Sequence, residues 1–451
     1  MRSRTLLVAA VVGALLATTM APAGAIFGIG VDVADRDTPE WIVRIDGRGG
    51  CTGTLIDHEY VLTAAHCLVD DSGNLEEDED VEVFIQIPAG QNGRTESELD
   101  VRDFEVHPDY RVNPQRQVRI NDVGLIRLAE FAPLATDTLP VGSAQVGDDV
   151  DIFGYGFGGN IPMLPRFVPR GENQLRTLEG EVVGAANCSV ASLCLVVAEG
   201  DFGICQGDSG GPAVRGGEVR AVVSGGAGGG RILDGDFVPA ICQLGGFFGF
   251  GDPNNDNWVR RQIASWACNT GLVNVDVDLS NVNDIDEDAN IVMLGWGESP
   301  SVRDDVIIGT VFDDFEIEAG RRVPVDGLRG DDTLCGRQGN DRLSGGSNAD
   351  VVLGGSGADI LSGNNGQDAI YGGPGNDVLN GGRHDDELSG NEGFDTLNGN
   401  NGFDDLSGGS DNDVLIGHRG DDTLNGGPGT DTLDGRQGSD TCTNGPNLRN
   451  C

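Results

Sequence analysis

The chain of 451 residues contains no lysine, so arginine supplies all of its 29 basic side chains, against 73 acidic ones. The net charge of −44 argues against nucleic acid as a partner, because a phosphate backbone would be repelled. Long apolar runs are also missing: residues 6–17 are too few for a transmembrane helix, and no later segment is long enough. The sequence therefore predicts no nucleic-acid partner and no membrane span.

The N-terminus has the features of a secretory signal peptide. Arginines precede the apolar residues 6–17, and a segment of small residues follows at 21–25. We expect residues 1–25 to be removed, so that the mature chain begins at Ile26. Ten cysteines, an even number, are typical of disulfide bonding in an oxidising compartment. The sequence predicts a secreted, extracellular protein.

The first half of the chain has the pattern of an all-β domain. Short alternating or apolar runs between residues 41 and 183 are separated by clusters of Gly, Pro, Asn and Asp. This spacing is typical of a β-sandwich or β-barrel. One helix is predicted at residues 258–268, with Trp258, Ile263 and Trp266 as its apolar positions, and it closes the domain.

Three motifs in this half contain the residue types of a catalytic triad. Ser209 lies in the motif GDSGGP, whose glycines allow backbone N–H groups to approach a developing oxyanion. A serine nucleophile needs a histidine base and an orienting carboxylate. His66 in TAAHC and Asp122 in DVGLIRL supply these groups. Taken alone, His66 would more often be a packed core residue and Asp122 a turn residue.

Together, in this order, the motifs closely resemble those of the trypsin/chymotrypsin-like serine proteases. The resemblance implies two six-stranded antiparallel β-barrels with the triad in the cleft between them. It implies that His66 is the general base, Asp122 its orienter and Ser209 the nucleophile. The N–H groups of Gly207 and Ser209 would form the oxyanion hole.

The same resemblance assigns further positions. Asp208 resembles the acid that pairs with a freed N-terminal amine, and Ile26 would supply that amine once the signal peptide is removed. Trypsin-like enzymes carry an acid where this chain has Gly203, and Ser224 and Gly226 line a glycine-rich pocket wall. We therefore expect cleavage after a neutral or apolar residue rather than after arginine or lysine, although Asp201 is a second candidate for a pocket acid and keeps the other specificity open.

The resemblance also assigns partners to six of the ten cysteines. The resemblance implies three disulfides, although sequence alone does not fix connectivity. Cys268 is left over, and Cys335 is a candidate partner, while Cys442 and Cys451 are expected to pair at the tail. The implied family pairs are Cys51 with Cys67, Cys188 with Cys194, and Cys205 with Cys242.

The second half is a repeat of nine residues. An aspartate recurs at this spacing, a glycine precedes each by five positions, and an aliphatic residue follows two positions later in all but the last repeat. One such unit cannot bury its aliphatic side chain alone, so stability requires stacking into a parallel β-solenoid. Stacking aligns the aspartates in rows, whose repulsion a calcium ion would relieve. The predicted calcium ligands are Asp332, Asp341, Asp350, Asp359, Asp368, Asp377, Asp386, Asp395, Asp404, Asp413, Asp422 and Asp431.

The repeat, as in GGPGNDVLN at residues 372–380, resembles the RTX (hemolysin-type) calcium-binding repeat. The resemblance implies a calcium-binding β-roll. A dense acidic run at residues 70–80 is a further candidate for calcium, but such runs are more often solvated loops, and both interpretations stay open. The predicted domains are a signal peptide (1–25), a protease-like domain (26–269), an acidic connector (270–301), degenerate repeats (302–326) and a calcium-binding roll with a C-terminal cap (327–451).

The sequence thus predicts a mainly β protein, with a chymotrypsin-like double β-barrel followed by a parallel β-roll. The leading hypothesis is a secreted serine endopeptidase that acts on proteins or peptides through an acyl-enzyme. Its Ca²⁺-binding roll would serve folding, stability or attachment to an extracellular surface. The alternative is a calcium-dependent adhesion or surface-binding protein whose protease-like domain is inactive.

Overall fold

In the computed structural model the described residues form two compact units, one from Val31 to Val259 and the other from Arg260 to Cys451. No helix in the described part of the chain is long and apolar enough to cross a membrane. The described residues are 31–32, 39–46, 50–70, 74–76, 81–88, 94–113, 118–133, 137–142, 145, 147–155, 176–184, 193–197, 204–205, 209–224, 231–233, 236–238, 242–243, 247–249, 253–268, 290–294, 305–309, 314, 316–318 and 321–451.

The first unit is built from antiparallel strands. A 3-10 helix at Ala65–Cys67 interrupts them. The strands are β1 (Val31–Asp32), β2 (Ile42–Asp46), β3 (Cys51–Asp57), β4 (Tyr60–Thr63), β5 (Glu82–Pro88), β6 (Arg94–Leu99), β7 (Val101–Val106), β8 (Arg111–Asn113), β9 (Val118–Ile120), β10 (Gly124–Leu128), β11 (Asp149–Gly154), β12 (Arg176–Gly184), β13 (Leu193–Val197), β14 (Ile204–Cys205), β15 (Pro212–Arg215), β16 (Glu218–Val223), β17 (Arg231–Leu233), β18 (Asp236–Val238), β19 (Cys242–Gln243) and β20 (Phe247–Gly249).

Two seven-stranded sheets dominate this unit. The first has the order β6-β5-β2-β3-β4-β10-β7, and the second has the order β1-β12-β11-β15-β16-β20, with β13 paired to β12. Apolar side chains of the first sheet, including Val43, Leu55 and Ile126, are fully buried in one cluster. Burial of each such side chain contributes about 1.5–3 kcal/mol. The antiparallel β architecture predicted for this half is confirmed.

The helix α1 (Pro253–Cys268) confirms the predicted helix and begins earlier than residue 258. A proline is well tolerated in the first turn of a helix, because the N–H that it lacks has no partner within the helix there. Trp258, Ile263 and Trp266 are all buried, as their spacing predicts.

The second unit is a stack of parallel strands. Two further short strands form an antiparallel hairpin, β23 (Glu316–Glu318) with β24 (Arg321–Val323). The parallel strands are β21 (Asn290–Met293), β22 (Asp305–Ile308), β25 (Val325–Asp326), β26 (Thr333–Cys335), β27 (Arg342–Ser347), β28 (Val351–Leu353), β29 (Ile360–Asn365), β30 (Ala369–Pro374), β31 (Val378–Arg383), β32 (Glu387–Glu392), β33 (Thr396–Asn401), β34 (Asp405–Ser410), β35 (Val414–Arg419), β36 (Thr423–Asn425), β37 (Thr432–Gln437), β38 (Thr441–Thr443) and β39 (Asn447–Arg449).

Successive nonapeptides place their strands alternately in two sheets, one of nine strands and one of eight. Strands in the same sheet are therefore 18 residues apart along the chain, as Leu361 and Leu379 are in neighbouring strands. Leu379, Leu397 and Leu415 are fully buried between the sheets. The predicted parallel β-solenoid is confirmed.

The solenoid begins earlier than the sequence repeat suggests. Strand β21 lies inside the predicted connector, and it pairs in parallel with β22, which lies in the predicted degenerate repeats. Both strands are rich in Ile and Val, so they join the sheet through apolar packing without the glycine-aspartate pattern. The segment therefore belongs to the roll although it lacks the nine-residue motif.

Candidate active site and carboxylate rows

His66 and Asp122 are brought together at the end of two paired strands. His66 lies in the 3-10 helix that follows β4, and Asp122 precedes β10, which pairs with β4. The Nδ1 atom of His66 is 2.8 Å from Oδ2 of Asp122. The backbone N–H of His66 donates to Oδ1 of the same carboxylate at 2.9 Å. These two contacts fix both the position and the ring orientation of His66.

Asp122 is completely buried. A buried carboxylate loses its hydration, and hydrogen-bond donors must compensate for that loss. Besides the two groups of His66, the hydroxyl of Ser224 donates to Oδ2 of Asp122. Sequence reasoning assigned Ser224 to the pocket wall and missed this contact. Its only signal in the sequence is a polar residue at the end of the apolar run 219–223.

Ser209 lies beside the turn that carries His66. Its carbonyl accepts a hydrogen bond from the backbone N–H of Thr52 at 2.8 Å, and the N–H of Gly210 donates to the carbonyl of Val223 at 2.7 Å. None of the side-chain hydrogen bonds found among the described residues joins Ser209 to His66. Catalytic contacts of this kind often tighten only when substrate binds.

Gly210 explains how the serine segment comes so close to this turn. Its φ of 83° lies in the left-handed region, which favours glycine. A Cβ at this position would lie 2.1 Å from both the Thr52 carbonyl and the Thr63 hydroxyl, and 3.1 Å from the Ala64 nitrogen. Only glycine therefore allows the segment after Ser209 to pack against the residues that precede His66.

Several predicted site residues lie outside the described residues. They are Ile26, Cys188, Gly203, Gly207, Asp208, Gly226 and most of the acidic run 70–80. Their oxyanion, activation and pocket roles stay predictions.

Three disulfide bonds are present among the described residues: Cys51–Cys67, Cys268–Cys335 and Cys442–Cys451. The first ties the turn of His66 to β3. Cys205 and Cys242 are opposite each other in the antiparallel pair of β14 and β19, a backbone register that is compatible with the implied disulfide between them. Cys194 lies in β13.

In the second unit the aspartates form two rows that run along the stack. From Asp332 to Asp422, the backbone N–H of each row aspartate donates to Oδ1 of the aspartate 18 residues further on, as Asp350 does to Asp368 at 2.9 Å. The second oxygen of many of these carboxylates is buried and makes no hydrogen bond. These oxygens are Oδ2 of Asp350, Asp368, Asp377, Asp386, Asp395, Asp404, Asp413, Asp422, Asp431 and Asp440.

Burial raises the pKa values of eight of these carboxyls, and the charges of nearby aspartates raise all but that of Asp368 further. The eight are Asp350, Asp368, Asp377, Asp386, Asp395, Asp404, Asp413 and Asp422. The pKa of Asp386 rises to about 8, and those of Asp350, Asp377 and Asp404 rise to about 7. The hydrogen bond from the preceding aspartate's N–H acts in the opposite direction but does not offset the burial. Without a cation, the rows are therefore unfavourable places for negative charge.

The donor set of the rows fits a hard cation. Each carboxylate stands against a glycine: a Cβ on Gly372 would lie 2.4 Å from Oδ2 of Asp377 and 2.9 Å from the carbonyl of Gly390. Carboxylate and carbonyl oxygens thus point into the same narrow space, which a side chain would fill. Such oxygens are the ligands that Ca²⁺ takes in flexible six- to eight-fold coordination.

Comparisons with known proteins agree with this division of the chain. The trypsin family model matches residues 29–241, and the model of the RTX calcium-binding nonapeptide repeat matches several overlapping segments between residues 326 and 442. Beta-fibrinogenase brevinase from Gloydius blomhoffii is 32% identical over 186 residues, which cover 39% of this chain and 73% of that protein. Trypsin from Sus scrofa is 26% identical over 257 residues, 52% of this chain and 95% of the relative. Trypsin-4 from Rattus norvegicus is 30% identical over 198 residues, 39% of this chain and 69% of the relative. The chain therefore belongs to the trypsin family, and RTX calcium-binding repeats follow its trypsin-like region.

Proposed function

We propose that this protein is a secreted serine endopeptidase that cleaves proteins or peptides through an acyl-enzyme. The observation that carries the proposal is the contact of 2.8 Å between Nδ1 of His66 and the fully buried carboxylate of Asp122. This contact holds the imidazole in the tautomer whose Nε2 can accept a proton. A histidine that served only the core would not need a buried carboxylate with three donors.

The chemistry follows from these positions. Nε2 of His66 takes the proton of the Ser209 hydroxyl as Oγ attacks the carbonyl carbon of the scissile peptide. Asp122 stabilises the imidazolium that forms, and His66 then gives the proton to the leaving amine. Water, activated by the same histidine, hydrolyses the acyl-enzyme and regenerates Ser209. The N–H groups of Gly207 and Ser209 would hold the oxyanion during both steps.

Activation is proposed to depend on Ile26 and Asp208. The support in the described residues is β1, whose Val31 pairs with Thr177 of β12 shortly after Ile26 in the chain. That pairing anchors the N-terminal segment to the second sheet. N-terminal sequencing of the secreted, active protein should give Ile26 as the first residue. A start well downstream of Ile26 would exclude this pair.

A serine-directed fluorophosphonate tests the enzymatic proposal directly. The wild-type protein in calcium should be labelled, and Ser209→Ala should abolish the label. Ser439→Ala, which changes an exposed serine of the roll, serves as the matched control and should leave labelling unchanged. If the wild type is not labelled in calcium, the enzymatic proposal fails and the adhesion hypothesis takes its place.

The roll is proposed to bind Ca²⁺ through its two carboxylate rows. When bound, the ions would neutralise the aligned carboxylates and so stabilise the stacked coils. The support is the set of buried Oδ2 atoms that make no hydrogen bond and face glycines. Far-UV circular dichroism of the full chain during calcium titration tests this. The strand signal should increase with calcium, and a signal already complete in chelator would refute the role of the ion.

A further inference from the structure

The N-terminal end of the roll is built differently from the rest. Strands β21 and β22 each bury at least two apolar side chains, among them Ile291, Val292 and Ile307, whereas each repeat from β31 to β37 buries a single leucine. The disulfide Cys268–Cys335 ties the end of helix α1 to β26 at this end of the stack. Additional apolar packing and a covalent bond therefore stabilise this end of the roll.

Arg337 is the unusual residue of this end. It is buried, with 8% of its surface exposed. It follows the first glycine of its repeat, a position that Gly355 and Gly373 occupy in the next two coils of the same sheet. The backbone adopts a positive φ of 76° there, which favours glycine over arginine. An arginine buried in a strained conformation requires a compensating interaction.

That interaction is with Gly309, which belongs to the first glycine–aspartate pair of one carboxylate row; we call this pair the first level of the row. Nη1 of Arg337 donates to the carbonyl of Gly309 at 3.3 Å. A Cβ on Gly309 would lie 2.3 Å from Oδ2 of Asp314, just as one on Gly336 would lie 2.4 Å from Oδ2 of Asp341. Gly309 and Asp314 are thus the first glycine–aspartate pair of this row, and a guanidinium reaches its carbonyl.

Asp314 occupies that first level because of the hairpin β23–β24. Its N–H donates to Oδ1 of Asp341, which is 27 residues further on rather than 18. The hairpin takes up the additional residues, and the ladder continues from Asp341 to Asp359 with the usual separation. Asp314 is therefore stacked in the row in the same way as the later aspartates, although its separation from the next one in the sequence is longer.

We propose that the guanidinium of Arg337 is a built-in cation for this first level, where it takes the role that calcium has at the deeper levels. A guanidinium keeps its charge at every physiological pH and presents several N–H donors, so it can satisfy carbonyl and carboxylate oxygens permanently. The end of the roll would then be ordered before any ion binds. Each further coil could add its calcium onto a template that is already formed. This inference rests on the proposed calcium role of the roll.

The test counts calcium ions and measures folding in the full-length chain with Ser209→Ala, which prevents self-cleavage. Equilibrium dialysis gives the number of ions per chain, and circular dichroism gives the calcium midpoint and the strand signal in chelator. Arg337→Gly restores the repeat motif and should gain one calcium ion per chain while losing strand signal in chelator. Arg436→Gly is the matched control, because Arg436 has the same motif position and a positive φ of 69° but is exposed at the other end. It should leave the calcium count unchanged.

Two variants keep the test decisive if Arg337→Gly does not fold. Arg337→Lys keeps the charge and should retain the parent's calcium count. Arg337→Gln removes the charge and should raise the calcium midpoint. The inference is overturned if Arg337→Gly folds with the parent's count and midpoint, or if Arg337→Gln behaves like the parent. A parent that binds no calcium would instead refute the proposed role of the rows themselves.

Discussion

Replacing Asp122 by asparagine should remove most of the nucleophilic activity while leaving the fold intact. Asp122 is fully buried and accepts hydrogen bonds from Nδ1 and the backbone N–H of His66 and from Ser224. An asparagine has the same shape, but its NH₂ group is a donor where the imidazole N–H needs an acceptor. The imidazole would then adopt the tautomer with its proton on Nε2. A protonated Nε2 cannot accept the proton of the Ser209 hydroxyl.

The magnitude follows from that loss. In serine proteases with this triad, loss of the correct tautomer and of the negative charge beside the imidazolium lowers kcat roughly 10⁴-fold. A factor of this size corresponds to about 5.4 kcal/mol of transition-state stabilisation. Ser224→Ala is the graded comparison, because it removes only one donor to the carboxylate. A hydrogen bond to a charged group contributes about 1.5–3 kcal/mol, so this variant should lose roughly 10- to 150-fold.

The assay is the second-order rate of fluorophosphonate labelling, measured with the circular dichroism spectrum as a check on folding. Nitrogen NMR of the His66 ring reports the tautomer independently. The expected order of rates is wild type, then Ser224→Ala, then Asp122→Asn. If Asp122→Asn is labelled as fast as the wild type while folded, Asp122 does not orient the base and the triad assignment fails.

Three further predictions concern the roll and the pocket. In chelator, the strand signal of the roll should increase as the pH falls from about 8 to about 5. Burial raises the pKa of Asp386 to about 8 and that of Asp404 to about 7, so the folded roll binds more protons than the unfolded chain; a signal that is flat or decreases would contradict this. Gly372→Ala should cost about 1–3 kcal/mol and raise the calcium midpoint for folding, because its Cβ would lie 2.4 Å from Oδ2 of Asp377; an unchanged midpoint would show that this space holds no ion. Digestion of a peptide library should show cleavage after neutral or apolar residues, because Gly203 stands where trypsin-like enzymes carry an acid; cleavage mainly after arginine would refute that expectation.

The sequence predicted the two halves of the fold because each has a local signature. The nine-residue period fixes one strand per repeat, and the buried leucines follow from it, as Leu397 shows with none of its surface exposed. The triad motifs pointed to His66 and Asp122 as partners, since their flanking residues are distinctive. The distance between the two side chains depends on the register of β4 and β10, which no local pattern specifies.

Contacts between distant segments were the part that the sequence could not supply. The Ser224 hydroxyl reaches Asp122 across 102 residues, and this depends on how β16 lies against the first sheet. Likewise, counting by nines places Asp314 in the row of Asp332, whereas the structure places it before Asp341. The hairpin β23–β24 causes this change of row, and it has no glycine-aspartate motif by which it could be recognised.

The two ends of the roll show how a stack with such weak individual units can hold a single register. Each nonapeptide contributes to the core one buried aliphatic side chain, usually a leucine, and contributes one row carboxylate that burial makes unfavourable as a charge, so a repeat at the end of the stack gains little from staying folded. At the C-terminal end the disulfide Cys442–Cys451 closes the last turn, and β39 covers β37. The N-terminal end is likewise held in the stack, there by the apolar strands, the disulfide Cys268–Cys335 and Arg337. If the rows bind calcium as proposed, the ions have to stabilise only the coils between two ends that are held without them. Binding at one position in a row would then favour binding at the next, and folding of the roll should be cooperative in calcium.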